Sequence, residues 1–248
     1  MDKIQLHTLS SYYGKGWKDL INDKNKKPSI DFAHSDKFEV NEEFYNKSKY
    51  LYEKYKHTAQ MGKRSLTIRN IEEIYEYFKY ESGIEKYLSE ITGIDLLLHP
   101  MYSEACMYNL TPDITKQENI DNWHYDYVPF VFVYVIEKSD NESGQLVINT
   151  NEELQYINLN IGEGIFMQGS QIKHLASRCK TGERTTLVLS FIHKDITIVD
   201  NTYITKETNP YHFNENLYYQ YIKYKEDRIY KLMLSLSREK KDLDRCKL

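Results

Sequence analysis

The residues with the most chemical potential sit in one short segment, Trp123-His124-Tyr125-Asp126. Side chains alternate along an extended strand, so His124 and Asp126 point to the same face. An imidazole beside a carboxylate makes two ligands for a divalent metal, and His174 is the best candidate for a third. Two histidines and one carboxylate on one side of a metal leave the opposite positions open, a donor set that suits iron(II) with exchangeable sites. Alone, a His-x-Asp pair is a weak signal, because most of the 8 histidines in such a chain serve surface or structural ends.

The surroundings strengthen it. His174 closes the run from Gly162 to His174, which reads as a turn, a strand and a polar bend. Arg184 follows the turn Lys180-Thr181-Gly182 and opens the strand Thr185–Ile192. An arginine is the side chain that clamps a carboxylate bidentately. Thr186, two residues on, shares its face and can add a hydroxyl donor. The pattern is a metal triad with a carboxylate anchor behind it.

From His124 to about Ile192 the chain resembles the core of the Fe(II)- and 2-oxoglutarate-dependent oxygenases. The resemblance rests on His124-x-Asp126, Ser143-Gly144-Gln145-Leu146, Gly162 to Phe166, His174 and Gly182-Glu183-Arg184, in that order. It implies that His124, Asp126 and His174 hold Fe(II), and that Arg184, helped by Thr186, binds the distal carboxylate of 2-oxoglutarate. Tyr108 and Tyr134 are the candidates for a further hydrogen bond to this cosubstrate. The implied reaction uses O2 and converts 2-oxoglutarate to succinate and CO2. Its implied product is a hydroxylated C–H bond of a small polar substrate such as a free amino acid. Alternatives are a hydroxylase of protein or peptide side chains, and a non-catalytic jelly-roll module that binds or senses metal. Desaturation and cyclisation stay open as outcomes, whereas the carboxylate at Asp126 argues against halogenation. Two departures stand out: Ser143 replaces a glycine, and the strand after Asp126 lacks the basic residue of prolyl-hydroxylase-like members.

The elements that must position these residues fall into three stretches of one catalytic domain spanning 1–248. Residues 1–95 read as a mainly helical support region. Phe44, Leu51 and Tyr55 form one helical stripe, and Ile71, Ile74, Tyr75 and Phe78 another, with Asn70 as N-cap and Glu73 completing a capping box. Ser82 and Glu85 repeat that signature before a helix running to about Thr92. Residues 96–200 carry the β-core: short strands at Ile94–Leu98, Glu104–Tyr108, Tyr127–Ile136, Gln145–Asn149, Gln155–Leu159, Gly164–Gln168 and Thr185–Ile192. Short strands joined by short turns indicate an antiparallel sandwich or barrel. Residues 210–248 turn helical again, with Leu217, Tyr221, Ile229, Leu232, Met233 and Leu236 as the apolar stripe. With the resemblance, the expected class is α+β: a double-stranded β-helix (jelly-roll) core between N- and C-terminal helices. Residues 40–95 could serve as a lid or as a subunit surface.

Composition bounds the partners. Lys and Arg total 33 against 37 acidic residues, so there is no basic surplus to attract nucleic acid or an anionic membrane. No run of 18 apolar residues offers a membrane span, and the N-terminus lacks the pattern of a signal peptide. The 3 cysteines are too scattered for a disulfide framework or a zinc cage. A cytoplasmic enzyme acting on a small molecule is expected, without nucleic-acid or membrane partners and with its oligomeric state open.

Overall fold

The computed structural model describes residues 6–13, 35–61, 65–111, 122–140, 144–149, 154–177, 179, 182–198, 200, 202–204 and 215–245. Its strands are β1 (Leu6–Tyr13), β2 (Ser35–Val40), β3 (Gln60–Met61), β4 (Leu66–Ile68), β5 (Leu96–Leu98) and β6 (Cys106–Thr111). They continue with β7 (Phe130–Lys138), β8 (Leu146–Asn149), β9 (Leu154–Ile157), β10 (Glu163–Met167), β11 (Lys173–Ala176) and β12 (Arg184–His193).

Among the described residues, one antiparallel sheet runs in the order β1-β2-β10-β7-β12-β6-β4-β3. Strand β5 pairs β12 beyond the end of β6. A second antiparallel sheet has the order β11-β8-β9. Outside the strands, His124 forms a single antiparallel bridge to His174 on β11. From β6 onward the chain therefore alternates between sheets, β6, β7, β10 and β12 in the large one and the His124 segment, β8, β9 and β11 in the small one. That is the winding of a jelly roll, a double-stranded β-helix.

Strand β7 shows how sequence builds this layering. Phe130, Phe132, Tyr134 and Ile136 lie on one face and Val131, Val133 and Val135 on the other, and all except Val133 are buried. A strand covered on both faces reads as an unbroken apolar run. The first face packs on helices and the second on the small sheet. On the helix side, Glu42–Tyr55 buries Phe44, Ser48, Leu51 and Tyr52, and Ile84–Thr92 buries Ile84, Leu88 and Thr92. Between the sheets, Leu146, Ile148, Ile157, Ile165, Met167 and Ile172 join the β7 valines in a separate apolar cluster.

Several expectations need correction. The N-terminal region adds strands β1 and β2 to the large sheet, with β2 paired to β10, as well as helices. Asn41, whose side chain accepts from the Phe44 amide at 3.3 Å, caps the first helix. Asn70 caps nothing: it has φ 61, the second helix covers Glu72–Glu76, and Glu73 instead accepts from Lys54 and Tyr55. Glu85 likewise leaves its own helix end and accepts from the Leu98 amide at 2.7 Å and from Lys79 at 2.6 Å. Tyr102–Ala105 is a helical turn rather than the start of a strand, and Lys173–Ala176 is a strand rather than a bend. In the last helix, Glu215–Arg245, Leu217 and Tyr224 are buried against Met101 and Ile192, while Ile229, Met233 and Leu236 are exposed. No described helix is long and apolar enough to cross a membrane.

Candidate active site

The backbone brings the two histidines together. His124 N donates to His174 O and His174 N donates to His124 O, each at 3.0 Å, so the residues are direct neighbours across the small sheet's edge. Their ring centroids lie 4.4 Å apart. The Asp126 amide donates to Gly169 O at 2.9 Å, which fixes the segment two residues further on.

Each imidazole is oriented by a backbone carbonyl. His124 Nδ1 lies 2.8 Å from Asn122 O, and His174 Nδ1 lies 2.8 Å from Ile172 O. A proton on Nδ1 held this way leaves the Nε2 lone pair for a metal. Both Nε2 atoms face the same carboxylate: His124 Nε2 is 3.6 Å from Asp126 Oδ1 and His174 Nε2 is 3.6 Å from Asp126 Oδ2. The three donor atoms all lie within 4.8 Å of one another. Two imidazoles and a carboxylate at this spacing suit one divalent cation, a donor set that leaves further coordination positions open. Burial pushes the Asp126 carboxyl up, yet His174 and His124 outweigh it and hold it below the usual carboxylate range. His174 is 7% exposed and His124 36%, so the open side of the trio is the His124 side.

Two supports around Asp126 had no clear signal in the sequence. A Cβ at Gly169 would stand 2.1 Å from Asp126 Oδ2, so only glycine lets the carboxylate occupy this position. Next in the chain, the Tyr127 hydroxyl donates to Glu104 Oε2, and Arg69 pairs with Glu104 Oε1 at 3.2 Å. Glu104 is buried, and burial raises its carboxyl against the pull of Arg69 and Tyr127. The far end of this network is tied to the ligand-bearing segment through Tyr127.

The large sheet carries the other residues singled out in the sequence. His174 pairs with Ile148 of the inter-sheet cluster, and paired residues share a face. On β12, Arg184 and Thr186 have the parity of Val188, which packs on that same cluster. Arg184 is 4% exposed, its Nε is buried without a hydrogen-bond partner, and it makes no ion pair to a described residue. Burial pushes its pKa down to about 10, with Cys179 acting in the opposite direction. Thr186 is also buried.

A residue passed over in the sequence joins Arg184. Lys138, the last residue of β7, is its register partner across the sheet and is 8% exposed. Its Nζ donates to Asn158 Oδ1 at 2.7 Å and to Leu159 O at 3.3 Å. The only available signal was a lysine closing an apolar strand.

Tyr108 and Tyr134 are not brought to the site. Both belong to the helix-facing cluster; the Tyr108 hydroxyl donates to Ser48 O at 2.8 Å, and Tyr134 packs on Phe44 and Phe132. Strand parity is the reason: Asp126 does not lie on β7, so counting by twos from it to Tyr134 crosses the Tyr127–Pro129 bend. Trp123 and Tyr125 are exposed, as alternation places them. Cys179 is a buried free thiol near Lys138 and Arg184 rather than near the triad.

No family model matches the chain, and no curated protein does. Among solved structures, it is similar to SnoN, a non-haem α-ketoglutarate-dependent epimerase of nogalamycin biosynthesis, at 12% identity and TM-score 0.49 over 64% of this chain and 77% of that one. It is also similar to a Pseudomonas putida prolyl-4-hydroxylase, at 11% identity and TM-score 0.44 over 61% and 87% of the two chains. A third is NgTET1 bound to 5mC DNA, at 15% identity and TM-score 0.46 over 64% and 72%.

Proposed function

We propose that this chain is an Fe(II)- and 2-oxoglutarate-dependent oxygenase, a single catalytic domain that hydroxylates a C–H bond of a small polar substrate such as a free amino acid. One observation carries the reading. A two-histidine, one-carboxylate trio lies at the edge of the small sheet, and Arg184 on β12, buried with its Nε lacking a hydrogen-bond partner, has the strand parity of Val188 in the inter-sheet cluster.

His124, Asp126 and His174 would hold the iron, which when bound supplies the O2 chemistry. Arg184 would receive the distal carboxylate of 2-oxoglutarate, with Thr186 adding a donor from the same face. Val131, Val133, Val135, Ile148 and Val188 of the inter-sheet cluster would give the space between the two ends apolar walls. Substrate would enter from the side of the exposed edge of His124. With a net charge of −4, the chain offers no general attraction to a polyanion.

The test is thermal unfolding without O2, with Mn(II) standing in for iron, 2-oxoglutarate, both, or neither. At a hundredfold excess over its dissociation constant a ligand stabilises by roughly 2.7 kcal/mol, which for a domain of this size is about 5–10 °C. The expected result is that both ligands together stabilise by more than their separate effects sum to. Asp126→Ala and Arg184→Ala should each remove that excess. A flat response from folded protein overturns the reading. Succinate release with pooled amino acids, peptides or 5mC-containing DNA then separates the substrate classes.

A further inference from the structure

The face that the large sheet turns to the small one changes character across its width. On β7 and β10, Val131, Val135, Ile165 and Met167 are buried in the inter-sheet cluster, with Val133 packed against it. Two register rows carry this face across β12 to the far strands. One runs Val133, Val188 and Met107, the other Val135, Thr186, Asn109 and Thr67. Register partners share a face, so Met107, Asn109 and Thr67 continue the face of the valines. None of these three joins the inter-sheet cluster, and Met107 and Asn109 are only half-buried. An antiparallel sheet keeps polar residues where the core does not cover it. The wing formed by β6 and β4 therefore presents a polar floor beside an apolar one.

The donors of this floor are under-used. Thr67 is 5% exposed, and its Oγ1 is buried without a hydrogen-bond partner among the described residues. Arg69 follows on the same face. Its Nη2 lies 3.6 Å from Met107 Sδ, its Nη1 lies 3.2 Å from Glu104 Oε1, and its Nε is buried without a partner. A thioether is a weak acceptor, and a guanidinium has N–H groups on every nitrogen to place. Glu104 is shared, since its other oxygen accepts from the Tyr127 hydroxyl. With 16% of its side chain exposed, Arg69 is within reach of an incoming molecule. Unused N–H and O–H groups on one face, beside a cation, suit a carboxylate, whose oxygens only accept.

Tyr127 places this corner next to the metal trio. It follows Asp126 in the chain, packs against the inter-sheet cluster and is joined through Glu104 to Arg69. Arg184 lies elsewhere on the sheet. It pairs with Thr111, whereas Met107, beside Arg69, pairs with Val188, which is about 13 Å further along the strand. The two arginines are separate centres, toward opposite ends of β6.

We propose that Arg69, with Thr67, receives a carboxylate of the substrate itself, so that the molecule oxidised is a carboxylic acid held on the β4–β6 wing. This rests on the oxygenase reading above and deepens it: Arg69 selects the substrate, not the cosubstrate. An acid pairs with the guanidinium, and its uncharged amide leaves the unused donors without a charged acceptor.

The experiment uses protein loaded with Mn(II) and 2-oxoglutarate without O2. It reads the further thermal stabilisation by a panel of L-amino acids and short-chain carboxylic acids, each beside its primary amide. Wild type is compared with Arg69→Met, Thr67→Val and Arg69→Lys, the last keeping a cation beside buried Glu104. At least one acid is expected to stabilise wild type where its amide does not. Arg69→Lys should weaken that acid by about tenfold or more, and Thr67→Val by less, because the guanidinium contributes charge-assisted bonds and the hydroxyl a neutral donor. Arg69→Met should lose the distinction between acid and amide, while every variant keeps the response to Mn(II) and 2-oxoglutarate. Equal stabilisation by acids and amides, or by neither, overturns the proposal and leaves the oxygenase reading standing. So does an Arg69→Lys variant that binds the acid as wild type does. Loss of the Mn(II) and 2-oxoglutarate response in both Arg69 variants makes Arg69 a structural residue and also overturns it. If wild type itself lacks that response, the oxygenase reading fails, and the proposal with it.

Discussion

At the scale of single residues, the site depends on atoms that are missing as much as on those present. Gly169 makes room for the Asp126 carboxylate, and a methyl there would overlap Oδ2 at 2.1 Å. Gly169→Ala is therefore expected to abolish Mn(II)-dependent stabilisation while the ligand-free protein keeps its fold; circular dichroism with thermal melts checks both. Tyr134 gives the opposite case. Its hydroxyl is buried without a partner on the helix side of the sheet. Tyr134→Phe should leave the 2-oxoglutarate response untouched and stabilise the fold by up to about 1 kcal/mol, since an unsatisfied hydroxyl disappears. A loss of cosubstrate binding in that variant would mean that Tyr134 reaches the site after all. The His124, Asp126 and His174 trio was legible from the sequence because a His-x-Asp pair on extended backbone puts both side chains on one face. Gly169 was not, because what its Cβ would strike comes from another part of the chain.

At the scale of elements, the last helix divides into a docked half and a free half. Leu217 is 4% exposed and Met233 61% exposed. Leu217→Ala is expected to cost about 2 kcal/mol or more, and Met233→Ala no more than about 0.5 kcal/mol, as read from chemical denaturation. The periodic stripe expected along this helix is real as a pattern, but among the described residues only its N-terminal half is packed against the core. The same end of the fold carries a pH response. His99 is fully buried against Thr202 and Tyr224. Burial holds its pKa at about 4, with Asp200 pulling it up and Lys225 pushing it down. An unfolded imidazole takes its proton near 6.5, so between about pH 6.5 and 4 the unfolded state binds the extra proton. This contribution is complete above that window and falls by roughly 3 kcal/mol on acidification through it. His99→Gln should flatten that part of the stability–pH curve, and an unaltered curve would assign the acid sensitivity to other groups.

At the scale of the whole molecule, the winding of two sheets brings distant segments together around one apolar cluster. His124 and His174 meet as cross-strand neighbours, and β12 presents Arg184 from the opposite sheet toward the same space. Metal and cosubstrate bound at the two ends would tie the sheets together, which is why their joint stabilisation should exceed the sum of its parts. The β-core was readable as antiparallel because its strands are short and separated by turn residues. Strand β11 was not, because Lys173–Ala176 has no alternation long enough to announce itself and is set by pairing with β8. The strands β1 and β2 escaped for a related reason: an edge strand is defined by the neighbour it finds, here β10 for β2.

What the sequence by itself determined is the set of donors and their order along the chain: His124, Asp126, His174, then Arg184. Those follow from residue chemistry and from the period of two, both local properties. Only the tertiary structure decided which face each strand turns inward, that Tyr108 and Tyr134 look toward the helices, and that Lys138 stands opposite Arg184. Facing depends on bends and on register between strands far apart in sequence. Neither is encoded in any short window of residues; both emerge only when the two sheets close on a common core.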